Sequence, residues 1–527
     1  MDRPNLRAGR FRRFVESMIL LLVWAFSIGG NAASVAAAPA YFDQEAQAVI
    51  TSAGESHDAS VAAEAADHAA ADQAVAEEGE EHGEGEALPP VWLVLPFIAI
   101  LLLIATGPLF FAHHWEHHYP KYSVGLGILV ALYYIFGMGN SVPVTHALNE
   151  YFSFIALVAS LFIGASGIFV SINAKGNPRN NVILLFVAAC VANVIATTGS
   201  AMLFIRSFMR LNKGRLKAYH IIFFIFIVAN VGGALTPIGD PPLFLGFLRG
   251  VPFFWTLEHV WYIWLPATAL ILGIFYVMDA RNKDESPDPD PDKPTVSLQG
   301  VKSFVWITLI ILLVFVDPNV FSWVPNLHKL YHIPIGIREI GMFIVAFLAY
   351  KTADKDALAK NEFNFEPIRE VGWLFLGIFA TMQPALELIS EFAHAHHESL
   401  TVGMFYWSTG ALSGILDNAP TYLNFTAAAM GKFGLDVNVA AQVKDFALPH
   451  MAHPDSWHFL QAISVAAVFF GALSYIGNAP NFMVKAIAEA NGVETPSFMG
   501  YILRYSIPIL IPVYFVIYVI FYSGWVL

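Results

Sequence analysis

Long apolar runs separated by short polar or charged stretches fill the chain from Val91 onward, at 91–112, 123–140, 151–173, 181–209, 218–250, 259–280, 302–317, 334–351, 371–391, 401–430, 458–489 and 500–525. A helix needs roughly 20 apolar residues to cross the hydrocarbon core of a bilayer, so the pattern predicts an all-α polytopic membrane protein. Two runs are too long for one upright crossing and are polar at the middle. The first, 181–209, contains Ala196-Thr197-Thr198-Gly199-Ser200, and the second, 401–430, contains Ser413-Gly414-Ile415-Leu416-Asp417-Asn418-Ala419-Pro420-Thr421. Each is predicted as a re-entrant hairpin of two helices. The runs 218–250 and 458–489 are interrupted differently, at Ile238-Gly239-Asp240-Pro241-Pro242 and at Ile476-Gly477-Asn478-Ala479-Pro480. Both read Gly-Asx-x-Pro. Lipid cannot replace the hydrogen bonds lost at such breaks, so they survive only where protein or a water-filled cavity surrounds them. Matching breaks in two halves of a membrane chain mark the binding site of a secondary transporter.

Positive charge sets the expected topology. Lys175 and Arg179 precede the first hairpin, while Arg206, Arg210, Lys213, Arg215 and Lys217 end or follow it. Both ends are basic, which assigns both to the cytoplasm. Onward counting makes the second hairpin open to the opposite face, flanked by His394, His396 and His397. The expected domains are therefore two inverted repeats, 91–281 and 301–527, each with a re-entrant hairpin and a helix broken at Gly-Asx-x-Pro. The Pro-rich stretch 282–300 is expected to be a cytoplasmic linker. Residues 1–40, with Arg7, Arg10, Arg12 and Arg13 before an apolar core, have the form of a signal peptide or signal anchor. Residues 41–90, rich in Ala, Glu and His, are expected to be a disordered exported tail.

Composition excludes several classes. The chain is 57% hydrophobic and 13% charged, whereas soluble domains carry about 25% charged residues. Much of the net charge of −13 sits in the N-terminal tail, so it marks no partner and gives no reason to expect nucleic acid binding. Cys190 is the lone cysteine, which removes an intramolecular disulfide and a Cys-based metal site. There is no Walker A loop for ATP and no nucleophile–base arrangement, so no enzyme is expected. The expected setting is a bacterial inner membrane, with the bilayer and a small ion as partners.

Carboxylates at mid-membrane depth are costly unless paired and are functional candidates by default. Asp240 and Asp417 are two, one from each half. A carboxylate holds Na⁺ when ionised and H⁺ when neutral, and hard cations prefer oxygen ligands. Thr198, Ser200, Thr236 and Thr421 offer hydroxyls, and Asn418 and Asn478 offer amide oxygens. Two roles stay open for each acid, because Asp240 could cap the helix starting at Pro241 and Asp417 the second hairpin arm. Glu387 is a candidate proton relay or a surface residue. Asn193 and Asn230 suit helix–helix bonding. The spacing of His113, His114, His117 and His118 fits Zn²⁺ or an interfacial, pH-sensing cluster. No cofactor is expected beyond Na⁺ and H⁺ as transported or coupling ions, and no metal beyond Na⁺.

From Val91 to Leu527, the paired hairpins and paired Ile-Gly-Asx-x-Pro breaks resemble the scaffold of the ion transporter superfamily, which includes sodium/proton antiporters, arsenite carriers and citrate or dicarboxylate transporters. The chain is similar to bacterial sodium:proton antiporters and to citrate-transporter proteins. The second tip resembles the Leu-Asp-Asn element of the antiporters, which implies that Asp417, Asn418 and Thr421 line a cation site. The dicarboxylate carriers have Ser-Asn-Thr at both tips, a pattern absent here. The resemblance also implies a homodimer. Two functions follow as expectations. One is exchange of Na⁺ (or Li⁺) for H⁺ by alternating access. The other is Na⁺- or H⁺-coupled citrate or dicarboxylate transport, with the positive ends of the half-helices facing the substrate. Neither tip carries Lys or Arg, and Arg206, Arg210 and Arg249 are expected at membrane edges, which favours the cation.

Overall fold

Proline at the start of a helix and a polar side chain just before it set many of the element boundaries. Asn177 accepts a bond from the Asn180 amide at 2.8 Å ahead of Pro178, and Thr401 accepts one from the Met404 amide at 3.3 Å. The computed structural model describes residues 88–527 except 293, 319, 320, 322, 326, 328–333, 450–452 and 524–527. The signal segment and nearly all of the exported tail lie outside the described residues.

In chain order the first half comprises α1 (Leu95–Phe110), α2 (Ala112–Leu132), α3 (Val142–Ser166), β1 (Phe169–Ile172), α4 (Pro178–Leu211), α5 (Ala218–Ile227), α6 (Pro241–Arg249) and α7 (Trp255–Ala280). The second has β2 (Val296–Gln299), α8 (Ser303–Val314), α9 (Ile337–Thr352), α10 (Lys355–Lys360), α11 (Glu366–Ala395), α12 (Val402–Ser413), α13 (Asn418–Lys432), α14 (Ala440–Ala447), α15 (Ser456–Phe470), α16 (Ala479–Ala490) and α17 (Phe498–Phe521). Among the described residues, 8 helices are long and apolar enough to cross a membrane. The protein is a multi-pass, mostly helical membrane protein.

The element α4 is a hairpin. A straight helix of its 34 residues would be about 51 Å long. Instead Ile195 and Ala196 leave helical geometry, Ala196 at φ 63° and ψ 159°. Asn181 and Asn212, near the two ends, exchange amide bonds of 2.8 Å each way. Ser200 Oγ donates to the Ala188 carbonyl at 2.6 Å, so the arms run side by side. The second hairpin is α12 and α13, joined by the turn 414–417. Its arms meet where the Phe405 and Phe425 rings pack edge-on, 6.2 Å apart.

The two breaks share more than one tetrad. Gly233-Ala234-Leu235-Thr236-Pro237-Ile238-Gly239-Asp240-Pro241-Pro242 is matched by Gly471-Ala472-Leu473-Ser474-Tyr475-Ile476-Gly477-Asn478-Ala479-Pro480. Each run passes through a short 3₁₀ turn and then opens before the next helix starts. The Thr236 hydroxyl accepts from the Gly239 amide at 3.1 Å, and the Ser474 hydroxyl accepts from the Gly477 amide at 3.1 Å. A methyl group at Gly239 would lie 2.2 Å from the Gly233 carbonyl oxygen, and one at Gly477 would lie 2.6 Å from that of Gly471. Both glycines are therefore required by close backbone approach. The runs expected as single interrupted spans are each two separate helices.

Burial is concentrated around these motifs. Residues 220–227 of α5 are all buried, and 83% of the Ser456–Leu473 span is buried, against 22% of the apolar window in His113–Gly137. A helix apolar on all sides belongs in a protein interior. The outer helices present apolar residues such as Phe343, Ile344 and Phe347 outward, as a lipid-facing surface requires.

Two short strands sit within this helical frame. The strands β1 and β2 pair antiparallel, with Phe169 opposite Gln299 and Ile172 opposite Val296. The strand β1 was hidden in the apolar run 151–173. The linker is folded back beside it rather than strung freely. Asn173 and Asp290 exchange side chain–backbone bonds of 2.8 and 2.9 Å, and the Ser286 hydroxyl accepts from the Gly176 amide at 2.7 Å.

The hairpin geometry puts both ends of α4 at one membrane face. With Cys190→Ser as background, single cysteines replacing the exposed Arg179 and Lys213 should react with an impermeant thiol reagent from the same side. Reaction of the two from opposite sides would contradict a re-entrant α4.

Candidate functional site

Asp240 lies at the junction of both hairpins and both breaks. It is the residue before α6, with extended backbone, yet its side chain makes no capping bond. Its carboxylate, 1% exposed, turns inward instead. Oδ1 accepts from Thr197 Oγ1 at 2.8 Å and from Asn478 Nδ2 at 3.0 Å, and Oδ2 accepts from Asn418 Nδ2 at 2.5 Å. Those donors come from the first hairpin tip, the second break and the second hairpin tip. No Lys or Arg bonds the carboxylate among the described residues.

The amide groups around it are held in a definite sense. An ionised carboxylate only accepts, so the NH₂ of Asn418 and of Asn478 must face it. Their oxygens then point away, and both Asn418 Oδ1 and Asn478 Oδ1 are buried without a donor among the described residues. A third such oxygen belongs to Asn230, whose Nδ2 donates to the Ile225 carbonyl at 2.9 Å and to Asn481 Oδ1 at 2.7 Å. Asn230 Oδ1 and Asn418 Nδ2 both approach Gly471, lying 2.9 and 3.5 Å from where its Cβ would be. Asn478 Nδ2 also donates to the Ala229 carbonyl at 3.0 Å. The centre thus holds a carboxylate with neutral donors and buried oxygens lacking partners. Unpaired buried oxygens are costly, and a small hard cation is one group that would satisfy them.

The expected residues divide into groups. Asp240, Asn418 and Asn478 meet directly. Thr236 stands behind them, its hydroxyl donating to the Asn193 carbonyl at 2.6 Å. Ser200 joins the hairpin arms and does not reach the carboxylate. Asp417 caps α13, accepting from the Ala419 amide at 3.0 Å, and Thr421 donates to the Asp417 carbonyl at 2.9 Å. Thr198 makes no side-chain hydrogen bond among the described residues; its neighbour Thr197 makes the contact. Glu387 accepts from Tyr134 at 3.0 Å and is not a partner of Asp240. Asn193 has the bridging role expected of it, donating to the Gly232 carbonyl at 2.6 Å and accepting from the Leu235 amide at 2.8 Å. Arg249, expected at a membrane edge, is buried in an ion pair with Glu150.

Sequence reasoning passed over Thr197 and Asn481 as site residues, and gave Asn230 only a helix–helix bonding role. Asn481 carried a signal, standing three positions after Asn478 and so on the same helical face. The histidines at 113, 114, 117 and 118 form ring pairs on an exposed helix, with His117 Nδ1 2.9 Å from the His113 carbonyl and His118 Nδ1 3.0 Å from that of His114. Among the described residues no group of three or more His, Cys, Asp or Glu could hold a metal, which removes the Zn²⁺ option there.

Comparison with known proteins adds an independent finding. The family model described as "Putative citrate transport" matches residues 85–522. The chain is also 23% identical over 340 residues to "Uncharacterized transporter Rv2685" and to "Uncharacterized transporter MT2759", from two strains of Mycobacterium tuberculosis. Each match covers 60% of this chain and 72% of the relative.

The contact pattern separates neighbours that look equivalent in sequence. Thr197→Val should lower stability in detergent by about 1–2 kcal/mol, because it strips a donor from a buried carboxylate. Thr198→Val should leave the unfolding midpoint unchanged. Asp417→Asn should stay within a few tenths of a kcal/mol, since Asn caps helices about as well as Asp.

Proposed function

The chain belongs to this citrate-transport family of membrane transporters, and within it we propose a secondary active carrier that exchanges Na⁺ (or Li⁺) for H⁺ at Asp240. The observation that carries this reading is the pairing of one buried carboxylate with the donor-less oxygens of Asn230, Asn418 and Asn478. An ionised carboxylate with amide side chains beside it suits a monovalent hard cation once the Asn418 and Asn478 amides turn their oxygens toward it. A proton neutralises the same group and competes with the cation.

Protonation also changes the bonding of the junction. Ionised Asp240 accepts three side-chain bonds. Once one oxygen carries a proton, it becomes a donor, and an amide opposite must rotate or withdraw. Cation for proton exchange at this carboxylate therefore alters how the two hairpin tips and the second break are tied together. That link supplies a physical basis for alternating access, with the halves as inverted repeats and the protein in the inner membrane, its N-terminal tail exported. Asp417 keeps a supporting part, because it orients the α13 start that presents Asn418 and lies within electrostatic reach of Asp240.

The second reading is Na⁺- or H⁺-coupled citrate transport, favoured by the description of the matching family. In that reading the same oxygens hold the coupling ion, and the anion sits nearby.

Everted vesicles enriched in the protein and energised to an acid interior decide between the two. Added Na⁺ or Li⁺ should dissipate the gradient, and Asp240→Asn should abolish the response while the protein still inserts. Asn418→Ala should raise the Na⁺ concentration for half response by about tenfold or more, as loss of a charged-group hydrogen bond implies. Na⁺/H⁺ exchange that survives in Asp240→Asn rejects the site. Citrate uptake without any Na⁺/H⁺ exchange in the native protein makes the second reading correct.

A further inference from the structure

A second polar feature lies away from Asp240, at the ends of the first hairpin. The last turns of α4 and the loop 213–217 border a cleft of about 770 Å³. Lys360, which ends α10, and Glu362 line another side, and the loop 491–494, which follows α16, lines a third. A volume of roughly 300–1,000 Å³ is typical of a small-ligand site. The cleft shares no lining residue with the Asp240 junction.

Its charge is not balanced internally. Arg206, Arg210, Lys213, Lys217 and Lys360 face two carboxylates, Glu362 and Glu494. Lys217 is matched from outside the cleft by Asp284 at 2.5 Å, and Arg206 Nη2 bonds Glu362 at 2.7 Å. The others meet neutral groups. Arg210 donates to Ser207 Oγ at 3.0 Å and lies over the Phe169 ring at 4.7 Å. Lys360 donates to Gln299 at 2.7 Å, and Lys213 has no acidic partner among the described residues. Arg206 adds an independent sign. Its side chain is 11% exposed, and its Nε and Nη1 are buried with no acceptor among the described residues. A guanidinium with unfilled donors beside a basic cleft adds positive charge that a multi-oxygen anion there would answer.

We propose that this cleft is a binding site for a multiply charged oxyanion, of the chemistry shared by a phospholipid headgroup and a free polyphosphate or polycarboxylate. The bound anion would bridge the loop leading into the first break and the loop leaving the second. Occupancy would thus bear on elements from both halves, at a place distinct from the transported ion. The inference does not rest on which ion Asp240 carries.

The full-length protein in zwitterionic nanodiscs, titrated with pyrophosphate by calorimetry, provides the test. Saturable binding is expected, weakening as salt rises. The double variant Lys213→Gln/Lys360→Gln should weaken it by about tenfold or more, because charge-assisted bonds are lost. Asp240→Asn should leave it unchanged, which separates this site from the transport site. A parallel arm exchanges part of the lipid for phosphatidylglycerol and counts retained lipid by native mass spectrometry. Retention that is lost in the double variant assigns the site to a headgroup, and pyrophosphate or citrate binding without it assigns a soluble anion. Absence of both, or binding that the double variant does not weaken, overturns the proposal.

Discussion

A helix broken inside a membrane must find partners for its freed backbone groups within the protein, because lipid offers none. The centre of this structure is organised by that demand. At the first break, Gly239 gives its carbonyl to the Thr197 amide at 2.8 Å and its amide to the Thr236 hydroxyl, while Asn193 takes up the Leu235 amide. At the second, Asn481 donates to the Gly471 and Ser474 carbonyls at 2.9 Å each. Side-chain amides and hydroxyls complete the backbone, and in doing so they lock hairpin tips onto breaks. Thr197 and Asn478 do both, bonding a freed backbone carbonyl and the Asp240 carboxylate.

The position of Asp240 follows from this arrangement. Its backbone is already extended before α6, and Pro241 and Pro242 bring no amide hydrogens to cap. A side chain with nothing to cap locally is free to reach across the junction. Asp417 faces the opposite situation. The Ala419 amide is within reach, so its carboxylate is drawn into capping α13. Two acids that look alike in sequence are divided by whether proline follows them at once.

The broad architecture was legible because it rests on strong signals: apolar length, polar centres in overlong segments, and Gly-Pro punctuation. Hairpin tips and breaks could be placed within a residue or two. That margin is where the site reading slipped, since Thr197 and Thr198 both follow the non-helical Ile195-Ala196 step and it is Thr197 that bonds Asp240. Asn230 escaped for another reason. Its amide group bridges as expected, and only the three-dimensional accounting of donors leaves its oxygen unmatched. The β1–β2 ladder was invisible because one strand is masked by an apolar run and the other by a Pro-rich linker. Non-local pairing of short strands has no signature in either segment alone.

The matched breaks have a consequence for how such a protein can diverge. At equivalent places one carries Asp240 and the other Asn478, side chains that differ in a single atom and whose codons differ at one base. A single nucleotide change in either loop could therefore add a negative charge to the junction or remove one, and at Asn478 the bond to the Ala229 carbonyl would go with it. Within one scaffold, the formal charge at the crossing of the two halves is a separately heritable trait.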